Sequence, residues 1–126
     1  MGQTSEADER PVTVGHGKAV KAGGMVYLSA VGPIDPATGQ VVRGGMKEQT
    51  RQCLANLKSR LEAVGSSLEK VVWANWALRE PGDFDIFNEE WARWFPGDSP
   101  VGQGTLMPLS HRRAGFSISI GVIAEA

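Results

Sequence analysis

Few side chains of this chain could carry acid–base chemistry at neutral pH, and they are far apart in the sequence. His16 lies between two glycines, and His111 begins the basic run His111-Arg112-Arg113. Imidazole suits proton transfer because its unperturbed pKa is about 6.5. A glycine-flanked loop could bring His16 to a cleft, or His16 could be an exposed histidine without a role. The basic run is typical of a solvated turn.

No pattern for a metal, phosphate or dinucleotide site is visible in the sequence. Neither histidine is accompanied by cysteines or carboxylates at ligand spacing. The chain has no Gly-Lys-Ser/Thr phosphate loop and no Gly-x-Gly-x-x-Gly after a predicted strand. We therefore expect no metal and no cofactor. Cys53 falls on an apolar helical stripe, which favours a buried structural thiol over a nucleophile.

Charge and composition narrow the possible partners. The 126 residues include 13 basic and 14 acidic side chains, for a net charge of -1. A near-neutral balance argues against nucleic acid as the main partner, since phosphate binding needs a clear positive excess. No apolar run reaches the roughly 20 residues of a membrane span. The single cysteine and the polar, acidic start at Met1–Arg10 favour a cytoplasmic protein with no membrane partner.

The elements that must position these residues can be placed from the pattern of apolar and turn-forming residues. We predict a frayed tail over residues 1–10 and a single domain over residues 11–126. Alternation and turn signals predict strands at Pro11–Val14, Val20–Lys21, Met25–Val31, Val71–Leu78, Thr105–Leu109 and Phe116–Ala124, with a short strand piece at Val41–Val42. The segment Asp35–Gly39 is predicted to be a turn, and Ser110–Gly115 to join the last two strands as a hairpin.

Two amphipathic helices are predicted between these strands. The first carries an apolar stripe and ends at Gly65; the stripe is Met46, Thr50, Cys53, Leu54, Leu57, Leu61 and Val64. Asp83 is expected to cap the second helix, which Pro96-Gly97 ends. Its stripe is Phe84, Phe87, Trp91, Trp94 and Phe95.

This order predicts an α+β fold, a six-stranded mixed sheet with two helices on one face. The other face of such a sheet needs a cover. Trp73, Ile118 and Ile120 could fill it, and a homo-oligomer that closes its sheets around an axis is a natural solution. The layout therefore favours an oligomer on grounds of burial alone.

Three motifs together resemble the RidA/YjgF family of small trimeric enamine and imine deaminases. They are the loop Gly32-Pro33-Ile34-Asp35-Pro36-Ala37-Thr38-Gly39, the helical run Gln49-Thr50-Arg51-Gln52-Cys53-Leu54-Ala55-Asn56-Leu57, and Asp83-Phe84 followed by Asn88-Glu89. The resemblance spans about residues 12 to 124. It implies a chorismate-mutase-like homotrimer with three small-molecule clefts between adjacent subunits.

In active family members an arginine grips the substrate carboxylate and a glutamate positions the hydrolytic water. Matched position by position, Ser29, Gly32 and Asn88 keep the family's pocket residues. The arginine of Pro-Ala-Arg is replaced by Gly102, and the glutamate by Ser119. The positions whose residue differs from the family pattern, or that adjoin the missing arginine, are His16, Gln103, Gly104 and Thr105.

The resemblance therefore implies a divergent site. Loss of the arginine is expected to remove a charge contact worth on the order of 2–5 kcal/mol and to open volume at Gly102, which favours a larger, less anionic ligand. Hydrolysis or tautomerisation of an imine, enamine or related carbonyl compound would use His16 and Ser119, with Ser29 and Asn88 as polar anchors.

Three alternatives stay open at the level of sequence. Arg112 or Arg113 could swing towards the cleft and replace the lost charge. The chain could instead form a noncatalytic ligand-binding or regulatory trimer. A ribonuclease or translation-inhibitor activity, associated with some relatives, is disfavoured by the charge balance.

Overall fold

A five-stranded sheet organises the part of the chain that the structure describes. The structure is a computed structural model and describes residues 19–95 and 100–126, so the predicted strand at Pro11–Val14 lies outside the described residues. The strands of this sheet are β1 (Val20–Ala22), β2 (Met25–Val31), β5 (Val71–Leu78), β6 (Val101–Leu106) and β7 (Ile118–Glu125). They lie in the order β1-β2-β7-β5-β6, and within this sheet only the β5–β6 pair is parallel.

A small ribbon forms at the turn-rich motif after β2. Its strands are β3 (Ile34–Asp35) and β4 (Gln40–Val41), which pair antiparallel. The predicted turn between them is confirmed, because the amides of Thr38 and Gly39 both donate to the carbonyl of Asp35. Gly39 has a φ of 75°, a conformation that glycine adopts without steric cost.

The first helix, α1 (Met46–Ala63), agrees with its predicted stripe. The Glu48 carboxylate accepts the Gly45 amide at 2.9 Å and so satisfies a donor at the helix start. At the other end, the Gly65 amide donates to Glu62 and the Ser66 amide to Leu61, with a φ of 86° at Gly65. This pair of bonds is a Schellman motif, which confirms the predicted stop at Gly65.

The second helix, α2 (Phe84–Trp94), buries an aromatic stripe against the sheet. Phe87 and Trp91 have ring centroids 5.5 Å apart, and Trp91 stacks on Phe95 at 4.3 Å. The expected cap was wrong in one respect: Asp83 precedes the helix but makes no side-chain capping bond. A short 3-10 turn, Pro81–Asp83, directly precedes α2. The backbone is therefore already coiled as a helix when α2 begins.

The predicted hairpin between the last two strands is wrong. β6 is an edge strand that pairs parallel with β5, while β7 lies in the centre of the sheet between β2 and β5. The segment between β6 and β7 contains a short helix, α3 (Leu109–Arg113), where a turn was predicted. Because β6 and β7 run on opposite sides of β5, the connection must cross the sheet end, and the helix provides that crossing.

The two faces of the sheet differ in composition. Both long helices cover one face, where they enclose a core that includes Val26, Leu28, Leu54, Leu57, Leu61, Ala74, Phe87, Trp91, Ile118, Ile120 and Val122. Ile118 and Ile120 belong to this core. The prediction that they fill the other face of the sheet is therefore wrong. Trp73 does lie on the other face, because it alternates with buried Ala74.

None of the helices within residues 19–95 and 100–126 is both long enough and apolar enough to cross a membrane.

Candidate functional site

A polar strip crosses the face of the sheet that the long helices leave free; we call it the open face. Ser119 and Gly121 alternate along β7 with the core residues Ile118 and Ile120, so they point to this face. A Cβ placed on Gly121 would lie 3.0 Å from the Ser29 hydroxyl oxygen, which shows how closely Ser29 approaches β7. The family serine therefore lies beside the strand that carries Ser119.

His111 is brought to Ser119 by the short helix α3. The imidazole Nδ1 lies 3.0 Å from the Ser119 hydroxyl oxygen, which is hydrogen-bonding distance. The ring also packs at a tilt on Phe116, with centroids 5.4 Å apart. Ser119 is 4% exposed, and burial lowers the pKa of His111 below its ordinary value. At pH 7 the imidazole is therefore neutral and one of its nitrogens is free to accept a proton.

Gly32 closes one end of this strip through its backbone. Its carbonyl accepts an amide hydrogen of Asn56 from α1 at 3.0 Å, and the same amide group donates to Ile34 at 2.7 Å. A Cβ on Gly32 would overlap with the Phe116 ring. Glycine is therefore required here so that Phe116 can pack against the loop, and Phe116 in turn supports His111.

The position of the family arginine is closed instead of open. Gly102 pairs with Ala74 of β5, and a Cβ on Gly102 would overlap with the Ala74 carbonyl oxygen. A Cβ on Gly104 would lie 2.7 Å from the indole nitrogen of Trp76. The expectation of extra volume at Gly102 was therefore wrong, because the β5 backbone and the Trp76 ring take the space that side chains on β6 would need.

The predicted binding residues of β6 point in two directions. Gly102 and Gly104 pair with Ala74 and Trp76 and so share the helix-covered side of the sheet. Gln103 and Thr105 belong to the open face, where the Thr105 hydroxyl lies 3.3 Å from the side-chain oxygen of Asn75.

Asn88 does not join the polar strip of its own chain. It is exposed on α2, on the helix-covered side. One chain therefore places Ser29, Gly32 and Ser119 on the open face and Asn88, Gly102 and Gly104 on the opposite side.

The remaining predicted groups are His16, Arg112 and Arg113. His16 lies outside the described residues. The Arg112 guanidinium donates to the Arg79 carbonyl at 3.1 Å, and Arg79 donates back to the Arg112 carbonyl. This exchange ties Arg112 to the end of β5 near Leu78, whereas Gly102 pairs with Ala74 further back along the strand. Arg113 is exposed on α3.

Sequence reasoning missed the role of His111 as the partner of Ser119. The two residues are eight positions apart, and the segment between them was predicted to be a hairpin turn. The only sequence signal was the type of residue, because imidazole and hydroxyl groups are common hydrogen-bond partners. Their contact depends on α3, which periodicity over five residues cannot reveal.

A cavity of about 650 Å³ lies away from both groups of predicted residues. It is lined by residues from the later halves of α1 and α2, among them Lys58, Glu62, Arg93 and Trp94. None of the predicted site residues lines it, so its size alone does not make it the chemical site. Cys53 is also removed from chemistry, because burial raises the pKa of its thiol and its sulfur contacts the Val31 carbonyl at 3.1 Å.

Comparison with known proteins identifies relatives of this chain. A family model described as Endoribonuclease L-PSP matches residues 8–125. A RutC family protein of Pyrococcus horikoshii is 39% identical over 95 residues, which are 75% of each chain. The chloroplastic Reactive Intermediate Deaminase A of Arabidopsis thaliana is 35% identical over 95 residues, covering 75% of this chain and 51% of that protein.

A solved structure extends the similarity to the whole fold. The crystal structure of RidA from an Antarctic Psychrobacter species aligns over 99% of this chain and 100% of that chain, with a TM-score of 0.81 and 32% identity. The match confirms the predicted α+β fold class. The chain therefore belongs to the RidA/YjgF family, the family that the Endoribonuclease L-PSP model describes.

Proposed function

We propose that this protein hydrolyses a small imine or enamine, or a related carbonyl-type metabolite, in clefts between the subunits of a homotrimer. The family includes imine deaminases, and one relative is named a Reactive Intermediate Deaminase. The reaction adds water to a carbon–nitrogen double bond and releases an amine. It needs polar groups to hold the substrate and a base to activate the water.

The proposed location between subunits is supported by the division of the site residues. Ser29 and Ser119 face one side of the sheet, while Asn88 and Gly102 face the other. A single chain cannot bring both groups to one ligand. A neighbouring copy that presents its β6 and α2 surface to this chain's open face would join them, and would also cover the half-exposed Tyr27.

The proposed substrate is less anionic than a short α-imino acid and carries an apolar group. The observation that carries this proposal is the closure of the Gly102 position by the Ala74 carbonyl. No side chain can start there to grip a carboxylate, and the neighbouring Gly104 lies against the Trp76 indole. The apolar indole ring suits contact with an apolar ligand group.

The test is ammonia release from imines generated in situ by an amino-acid oxidase. We would compare the alanine-derived imine with the phenylalanine-derived imine, with an arginine-containing family member as the control. We expect kcat/KM for the alanine-derived imine to be at least about 30-fold below that of the control. We expect a smaller gap for the phenylalanine-derived imine, since its ring can contact Trp76. Equal rates of the two proteins on the alanine-derived imine would contradict the proposal.

The alternative is a noncatalytic ligand-binding or regulatory trimer, in which loss of the arginine and glutamate ended the chemistry. It predicts no acceleration of either imine by a folded oligomer. If the protein is a hydrolase, His16 remains the sequence-based candidate for acid–base chemistry. Turnover separates the two hypotheses, since binding without turnover supports only the noncatalytic trimer.

A further inference from the structure

The contact between His111 and Ser119 lies on the open face, within the strip that also carries Ser29. Residues two positions apart on a strand are about 7 Å apart, so Ser119 is one step along β7 from Gly121 and its neighbour Ser29. The imidazole is half-buried, and its Nδ1 is occupied by the Ser119 hydroxyl at 3.0 Å. Its Nε2 has no hydrogen-bond partner within residues 19–95 and 100–126.

A hydroxyl at Nδ1 can accept a hydrogen from this nitrogen or donate one to it, and the nitrogen that carries the lone pair differs between the two cases. A neutral imidazole has one N–H group and one lone pair. When Nδ1 donates to the Ser119 oxygen, the lone pair is at Nε2, the nitrogen without a partner. Phe116 holds the ring from the side, and Gly32 leaves room for Phe116 to do so. The ring is therefore oriented by groups from the loop after β2, from α3 and from β7.

We propose that His111 is the general base for imine hydrolysis in this protein, acting in the tautomer whose Nδ1–H donates to Ser119, and that Ser119 is a positioning residue that holds the ring. This inference rests on the function proposed above. His111 Nε2 removes a proton from water as the water oxygen bonds to the imine carbon. The π electrons of the C=N bond move to nitrogen, and the protonated His111 returns the proton to that nitrogen to give a neutral carbinolamine. His111 then removes the hydroxyl proton of the carbinolamine and passes it to the nitrogen as the C–N bond breaks, which yields the carbonyl compound and ammonia.

The electrical surroundings of the ring suit this role. Burial lowers the pKa of His111, so that it is unprotonated at neutral pH. The charged groups on α3 and at the end of β5 include Arg112, Arg113 and Arg79, and Arg112 and Arg79 bond to each other's carbonyls. No carboxylate is hydrogen-bonded to His111 in the described parts of the chain, so no negative charge holds a proton on it.

The decisive experiment is the pH dependence of kcat/KM for the best imine substrate. The rate should fall on the acidic side with the pKa of His111, measured by NMR titration of its ring signals and assigned with a His16→Asn variant. His111→Asn keeps an amide near the position of Nδ1 but cannot exchange the proton. We expect it to lose about 100-fold or more in kcat, with little change in KM, and to lose the acidic limb.

Two further variants separate chemistry from folding. His111→Ala should regain part of its activity when free imidazole is added, which a purely structural role would not produce. Ser119→Ala should lower kcat by about tenfold by releasing the ring, whereas Ser110→Ala, the exposed serine of α3, is the matched control. Circular dichroism and size-exclusion chromatography would establish that each variant is folded.

The outcomes are distinct. An acidic limb that follows the pKa of His111 and disappears in His111→Asn supports the inference. If the wild type is active and His111→Asn is equally active, the inference about His111 is overturned and the proposed function is not. A limb that follows the pKa of His16, measured in the wild type, also overturns it without any His111 variant. Absence of turnover on all imines overturns both this inference and the proposed function.

Discussion

The two faces of the sheet use the same strands for opposite purposes. On the helix-covered face, Leu28, Ile120 and Val122 are almost completely buried under α1 and α2. On the open face the same strands present Ser29, Ser119 and Gly121. Because side chains alternate along a strand, each β residue serves only one face. The stability of the subunit and its chemistry can therefore be changed separately.

The open face is not uniformly polar. Tyr27 is 44% exposed there, and the second apolar cluster of Ala77, Met107 and Phe116 covers only one end of it. Edge strand β6 is exposed along its whole length, with Val101 74% exposed. These features are typical of a surface that a second copy covers, in agreement with the proposed trimer.

The largest expected effect tests the helix-covered face. Leu57→Ala removes a side chain that is 0% exposed, so we expect a loss of about 2–5 kcal/mol in the free energy of unfolding. Leu109→Ala is the control, since Leu109 is 60% exposed at the start of α3 and should change stability by less than about 0.5 kcal/mol. Urea denaturation at low protein concentration measures both. Equal losses for the two variants would contradict the expected difference between a buried and an exposed leucine.

The next effect tests the closed position on β6. Gly102→Ala places a methyl group against the Ala74 carbonyl, and we expect a loss of about 1–3 kcal/mol from the forced shift of the edge strand. Gly82→Ala is the control, because a Cβ there meets nothing within 4 Å. Thermal unfolding of both variants would measure the difference. Equal stabilities would show that β6 can move away and that the position is not closed.

A smaller effect compares two ion pairs of the helical layer. Glu90 has a side chain 5% exposed and accepts Arg51 at 3.0 Å, whereas Lys58 and Glu62 pair at 2.8 Å with side chains about half exposed. Arg51→Met should cost about 1–2 kcal/mol because, among the described residues, it leaves the buried carboxylate with only the Trp94 N–H at 3.4 Å. Lys58→Met should cost about 0–0.5 kcal/mol, since exposed pairs contribute little. Similar losses from the two changes would contradict this distinction.

The smallest effect is a pH dependence that arises on the open face. Burial lowers the pKa of folded His111 below the ordinary 6.5, so the unfolded chain binds more protons between the two values. Its contribution to the free energy of unfolding is thus complete above about pH 6.5 and is lost as the pH falls through the folded pKa. His111→Asn should reduce this dependence, as measured by urea denaturation across pH 5–8. An unchanged slope in His111→Asn would contradict the assignment.

The sequence predicted local structure best where the signal was long and periodic. Eighteen residues of α1 repeat an apolar stripe, and a glycine follows at its end, so the helix and its stop were both confirmed. The alternation in β5 was also confirmed from Trp73 onward. It failed at Val72, which is 42% exposed, because the pairing with β7 shifts between Val71 and Trp73. A register shift depends on the partner strand and leaves no mark in local alternation.

Errors occurred where pairing is nonlocal. Two apolar strands separated by a turn-like segment predict a hairpin, yet β6 pairs with β5, 28 residues earlier at Val101 and Trp73. The lack of room for a side chain at Gly102 also results from nonlocal pairing, because the Ala74 carbonyl of β5 occupies that space.

The sequence alone determined those features that depend on spacing within one segment. They are the residue types, the alternation of faces, the two long helices and the family motifs. The tertiary structure decided that His111 meets Ser119, that Gly102 has no room for a side chain, and that the predicted site residues divide between two faces. Each of these depends on how strands distant in sequence pack together, and burial across the whole sheet sets that packing.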